Sequence, residues 1–209
     1  MGSQVVTTVT VAMMMGAHAE PVARAVAERL GFRLVSGEII DRAATQAGVS
    51  REEVEVVERS PTLMSRIMAM LASGGVGAYG ASVEPDRIDA SPCYRRLIQD
   101  VIRETAASGR VVILAHGASI LLAGTPGLLR VLVTASAATR ARRLAADNGR
   151  DERWASREVE RSDGERRAFF ARFHDKDEEL PTDYDLVVNT DVLTVEDAAR
   201  LIAAGASSP

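Results

Sequence analysis

Apolar and polar positions change period repeatedly along the chain, from runs that suit a buried strand to spacings that suit an amphipathic helix. Val5–Ala12 (VVTTVTVA) is rich in β-branched residues and predicts a strand buried on both faces. In Glu20–Leu30, Val22, Ala23, Val26, Ala27 and Leu30 fall at helical spacing, and Gly31 ends the helix. Arg33–Val35 predicts a short second strand and Gly37–Gln46 a helix, with Ser50-x-x-Glu53 as a capping box opening another. Pro92–Ala107 predicts a long helix closed by Ser108-Gly109, and Arg110–Ala115 (RVVILA) a third strand. Leu129–Thr134 (LRVLVT) predicts the fourth strand, and Ser136 caps a helix over Ala137–Ala146. Arg153–Phe173 is a charged helical region with a candidate break at Ser162-Asp163-Gly164. Asp185–Asn189 (DLVVN) predicts the fifth strand, and Thr194 caps a closing helix to Ala203.

Apolar strands interleaved with helices predict a three-layer α/β fold: a five-stranded parallel sheet with helices on both faces. In such sheets ligands bind beyond the carboxyl ends of the strands. That rule selects Met13–Ala19, Ser36-Gly37, His116–Ser119, Ser136 and Thr190 as candidate positions. Ser60–Ser91 has a different texture. A Met-rich amphipathic piece, Leu63–Leu71, precedes the loose stretch Ser73–Gly80, which predicts a mobile insert.

Composition narrows the function classes. The chain has 209 residues, a net charge of −4 and only 4% aromatic residues, which disfavours non-specific nucleic-acid binding and base stacking. Cys93 is the single cysteine, so no intramolecular disulfide or cysteine-based metal site is expected. No apolar run approaches the ~20 residues of a spanning helix. The apolar start Met1–Met15 lacks a basic leader, so the cytoplasm is the expected compartment. His18, His116 and His174 are far apart in sequence and show no metal-ligand spacing.

Two features carry candidate chemistry. The first strand runs into Met15-Gly16-Ala17-His18-Ala19-Glu20-Pro21 before a helix, which is where a phosphate loop presents its amides. Only Gly16 remains of a glycine-rich loop, the signature lysine is absent, Pro21 lacks a donor and Glu20 adds negative charge. The second feature is the run Arg140–Arg172, with ten arginines against seven acids, a net +3. Guanidinium forks bind phosphate oxygens bidentately. The plainer reading is a solvated helix pair laced by pairs such as Arg157–Glu160 and Glu158–Arg161.

Several segments together resemble the cytidylate kinase-like family of the nucleoside monophosphate kinases. They are the strand–Gly16-loop–helix ending Arg29-Leu30-Gly31, Arg110–Ala118, and Thr134-Ala135-Ser136-x-x-x-Arg140-x-Arg142-Arg143. Arg161-x-Asp163-x-x-Arg166 and Tyr184–Thr190 complete the set. The resemblance spans most of the chain. It implies a P-loop kinase-like fold that is a single domain, with an acceptor-binding insert at about 37–92 and a helical lid at about 140–172. It implies transfer of the ATP γ-phosphate, with Mg²⁺, to a nucleoside monophosphate such as CMP or dCMP. On that reading Arg140, Arg143, Arg166 and Asp163 serve catalysis. Gly16, Ala17, His18, Ala19, Ser36, His116 and Thr190 bind nucleotide, with Thr190 near the adenine. The sequence departs from the family where chemistry is densest: Gly16-Ala17-His18-Ala19 stands for Gly-Ser-Gly-Gly, and Ala115-His116-Gly117 for Gly-Arg-Gly. The alternatives are therefore a degenerate member that binds nucleotide or a partner without transfer, and a structural homodimer built on the Met-rich insert.

Overall fold

The first strand ends up at the centre of the sheet. In the computed structural model, residues 5–48, 91–115 and 117–207 are described. Strand β1 (Thr8–Met13) pairs in parallel with β3 (Val111–Leu114) on one side and β4 (Leu128–Thr134) on the other. Strands β2 (Arg33–Val35) and β5 (Leu186–Asn189) form the edges, giving the order β2-β3-β1-β4-β5 with every pairing parallel. The central position explains the composition of β1. Val9 and Val11 are buried in the core, and Thr8 and Thr10 are buried on the other face. Those hydroxyls are satisfied: Thr8 donates to the Ala106 carbonyl at 3.2 Å, and Thr10 accepts from buried Ser119 at 2.9 Å.

The helices are α1 (Ala19–Leu30), α2 (Glu38–Ala47), α3 (Ser91–Ala107), the short α4 (Ala118–Leu121), α5 (Ala137–Asn148), α6 (Glu152–His174) and α7 (Val195–Ser207). Helix α1 buries Val22, Ala23 and Val26 in the same cluster as Val9, Val112, Val131 and Ile202 of α7. Burying a valine or isoleucine side chain contributes roughly 1.5–3 kcal/mol. Ser136 caps α5 by accepting from the Thr139 amide, and Thr194 caps α7 through the Asp197 amide, as their side chains predict. Helix α4 was not legible, because Ser119 and its neighbours lack helical periodicity over so few residues.

The chain divides into two compact units, residues 1–36 with 105–209, and residues 37–104. Every structural feature of the candidate site below belongs to the first. In the second, α2 buries Ile39, Ile40, Ala43 and Ala44, and α3 buries Ile98, Val101 and Ile102. The capping box at Ser50, residues 60–90 of the expected insert with Met64, Met68 and Met70, and His116 lie outside the described residues.

Strand β5 is held to β4 by a polar staple. Arg130 donates from its backbone and side chain to Asp185, at 2.9, 3.2 and 2.6 Å. Burial pushes the Asp185 carboxyl up, but these hydrogen bonds outweigh it and hold the group below the ordinary range.

Helix α6 corrects the break expected at Ser162-Asp163-Gly164: it is continuous from Glu152 to His174. The break residues are held from outside the helix, because Asp163 is gripped by Arg140 of α5. Gly164 is then a plain cost in backbone entropy. A methyl group there would meet nothing closer than the Arg167 guanidinium at 3.9 Å. Gly164→Ala is expected to stabilise the protein by about 0.5–1 kcal/mol in urea unfolding; an unchanged or lower midpoint would mean that the helix needs the glycine.

Candidate active site

The segment after β1 forms a cup of backbone amides. Gly16 has φ +75° and His18 φ +59°, the left-handed turns that curl successive N–H groups round one point. The Ala17 amide closes a turn onto the Met14 carbonyl at 3.0 Å. Among the described residues, no acceptor takes the amides of Gly16, His18, Ala19 or Glu20. They stand at the N-terminus of the 12-residue helix α1, where orphan donors and the helix dipole favour an anion. Ala17 itself is fully buried, so it supports the cup with its side chain. The charge of Glu20 is offset by Arg24 at 3.1 Å, both well exposed. Gly16 is required by contact as well as by φ: a Cβ there would lie 2.7 Å from the Arg140 carbonyl oxygen.

Arginines hold this loop from below and from the side. Arg140 is 3% exposed, and its fork binds both Asp163 oxygens at 2.9 and 2.7 Å. It also donates to the Ala135 carbonyl at 3.1 Å and reaches the Met15 carbonyl at 3.5 Å. Arg143 donates to the Gly16 carbonyl at 3.3 Å, the Thr190 hydroxyl at 3.0 Å and the Thr190 carbonyl at 2.6 Å. Thr190 is 1% exposed and its hydroxyl donates to the Ala17 carbonyl at 3.0 Å. It lies under the loop, and its hydroxyl ties the end of β5 to that loop. One residue on, Asp191 accepts from the Ser136 amide and hydroxyl at 3.0 and 2.9 Å. Hydrogen bonds from Thr139 and then Ser136 hold its carboxyl below the ordinary range.

Arg166 reaches the loop from α6. It donates to the Met13 carbonyl at the end of β1 at 2.9 Å, binds both oxygens of Glu179 at 2.7 and 2.5 Å, and stacks on Phe170 at 4.8 Å. The structure therefore gathers Gly16, Ala17, His18, Ala19, Arg140, Arg143, Arg166, Asp163 and Thr190 round one loop. Ser36 is not among them. It follows β2, and β3 lies between β2 and β1, which sets it about 10 Å away across the sheet.

Beside the loop is a cleft of about 220 Å³, lined among others by Met14, Arg166, Arg167, Phe170 and Glu178. A small cavity of about 10 Å³ lies between Ala12, Ala115, Gly117, Phe170 and Tyr184. That is no more than one water occupies. The His174 ring lies against Gly117, where any Cβ would collide with it. Among the described residues no cluster of His, Cys, Asp or Glu could hold a metal ion, and no helix is long and apolar enough to cross a membrane.

The family model described as the cytidylate kinase-like family matches residues 8–192. The chain belongs to that family. No curated protein matches the sequence. Among solved structures, an uncharacterized protein from Eubacterium ventriosum is similar at 16% identity and TM-score 0.68, covering 97% of this chain and 99% of its own. A shikimate kinase from Bacteroides thetaiotaomicron has 13% identity and TM-score 0.51, covering 94% and 95%. A gluconokinase from Sinorhizobium meliloti has 15% identity and TM-score 0.51, covering 98% and 94%. The family member has the fold of the P-loop kinases.

Sequence reasoning missed Glu179, Phe170 and the contact of His174 with Gly117. Glu179 sits in the run Asp175–Glu179, which reads as a solvated charged loop. Nothing local marks it as a partner for a guanidinium 13 residues earlier.

Proposed function

We infer that this family member binds ATP with its phosphates on the amide cup and transfers the γ-phosphoryl group to a nucleoside monophosphate, CMP or dCMP. The observation that carries this reading is the set of uncommitted amides at residues 16, 18, 19 and 20, with the Arg143 and Arg166 guanidinium groups at the same loop. That donor set suits a polyphosphate, since directed N–H groups and fixed cations stabilise charge on phosphoryl oxygens. The described residues build no metal site of their own, so Mg²⁺ would enter on the phosphates and water and would neutralise their charge. In the transfer, the bond from the γ-phosphorus to its bridging oxygen breaks and one to an acceptor phosphate oxygen forms. Arg166, with four N–H groups engaged, keeps one Nη1 donor for the moving group.

A second reading, nucleotide binding without transfer, is favoured by the missing lysine and by Glu20 at the cup. One assay separates the two. The kinase reading expects Mg²⁺-dependent ADP formation from ATP that requires CMP or dCMP. It also expects Arg166→Ala to lower turnover about 10²–10³-fold, the usual loss for one transition-state donor. ATP binding by calorimetry with no ADP from any common monophosphate would establish the second reading. Absence of binding would overturn both.

A further inference from the structure

We propose that Glu179, steadied by Tyr184, is the positioning residue that sets the Arg166 guanidinium over the phosphate loop. The inference rests on the nucleotide reading above and adds to it a residue outside the family's recognisable motifs.

The argument starts from the guanidinium. Arg carries five N–H donors in a rigid plane, so fixing one edge fixes the direction of the others. Glu179 takes the Nε and Nη2 edge of Arg166 through both carboxylate oxygens, at 2.7 and 2.5 Å. The opposite corner, Nη1, donates to the Met13 carbonyl at 2.9 Å, where β1 turns into the loop. One face of the plane is closed by the Phe170 ring at 4.8 Å. The fork is thus held at an edge, a corner and a face, and its long side chain has little rotamer freedom left. The remaining Nη1 proton belongs to the corner beside the loop.

Glu179 is in turn held in place. The Tyr184 hydroxyl donates to its Oε1, and Tyr184 is 6% exposed, packed before β5. Arg166 and Glu179 are themselves 20% and 17% exposed. A bidentate pair sheltered to this degree carries geometric specificity that a solvated pair lacks. It differs from the exposed pairs of the same helix: Arg161 with Glu158 and Glu165 sits in water and orients nothing at the loop. Misplacing a catalytic group by about 1 Å can cost about 10²-fold in rate, so a latch of this kind acts on kcat more than on ATP affinity.

The test compares Glu179→Gln, Glu179→Ala, Tyr184→Phe, Arg166→Ala and the double variant Arg166→Ala/Glu179→Gln in the full chain. Turnover with CMP, ATP affinity by calorimetry and thermal melting are read for each. Glu179→Gln keeps the shape and one acceptor. It is expected to lower kcat about 10–100-fold with KM for ATP within about threefold, and to melt near the wild type; Tyr184→Phe should do the same more weakly. The double variant should be no slower than Arg166→Ala alone, because Glu179 acts only through that arginine. Multiplicative losses in the double variant, or a kcat of Glu179→Gln equal to the wild type, overturn the proposal. A wild type that binds ATP without turnover overturns the latch alone, because it has no kcat to set. A wild type that binds no ATP overturns the nucleotide reading and the latch with it.

Discussion

Asp163→Ala is expected to lower stability by about 3–5 kcal/mol, the loss seen when one partner of a buried ion pair is removed. The large value follows from which partner remains. The Arg140 side chain is 4% exposed against 22% for Asp163, so the variant strands a guanidinium inside the protein. Its Ala135 and Met15 acceptors stay, but neither carries charge. The pair also joins α5 to α6, whose shared apolar cluster is short: Ala141, Ala145, Ala155 and Val159, with Leu144 and Trp154 packed against them. Urea unfolding checks this: with a slope of about 2 kcal/mol per molar, the midpoint should fall by about 2 M. Asp163→Asn keeps an acceptor and should fall less. A midpoint that moves by less than about 0.5 M for the alanine variant would mean that the helices hold together without the pair.

The second large effect concerns the cup itself. Gly16→Ala asks an L-residue to adopt φ +75° and to place a methyl carbon 2.7 Å from the Arg140 carbonyl oxygen and 3.0 Å from its Cα. The conformational term costs about 1–3 kcal/mol and the overlap a similar amount. The neighbour is helix backbone, so relief has to come from the loop. The expected result is loss of calorimetric ATP binding with partial loss of stability. Ala17, fully buried one residue later, offers a contrast: its side chain already has a place in the core. A Gly16→Ala protein that binds ATP as the wild type does would remove the cup from the account of the site.

The five strands were legible because a strand buried on both faces must be apolar and β-branched, and Val9–Val11, Val111–Leu114 and Val131–Val133 meet that demand locally. The order of strands was not legible, since it depends on which apolar faces meet and no single segment encodes that. The loop was legible from the strand–Gly16–helix sequence. Its supports were readable only in type: ten arginines over 33 positions announce guanidinium chemistry, but only tertiary packing separates Arg140, which is buried, from Arg161, which is solvated. Thr190 shows the same limit. Its place after the fifth strand was readable, while its burial beneath Ala17 depends on contacts 173 residues apart.

That last bond has a consequence for synthesis. The amides near residue 16 take their shape from Arg143 and Thr190, so the loop depends on residues made long after it. A nascent chain lacking its final strand would carry the turn without the strap that shapes it. The loop should therefore reach its final shape only after residue 190 has been made.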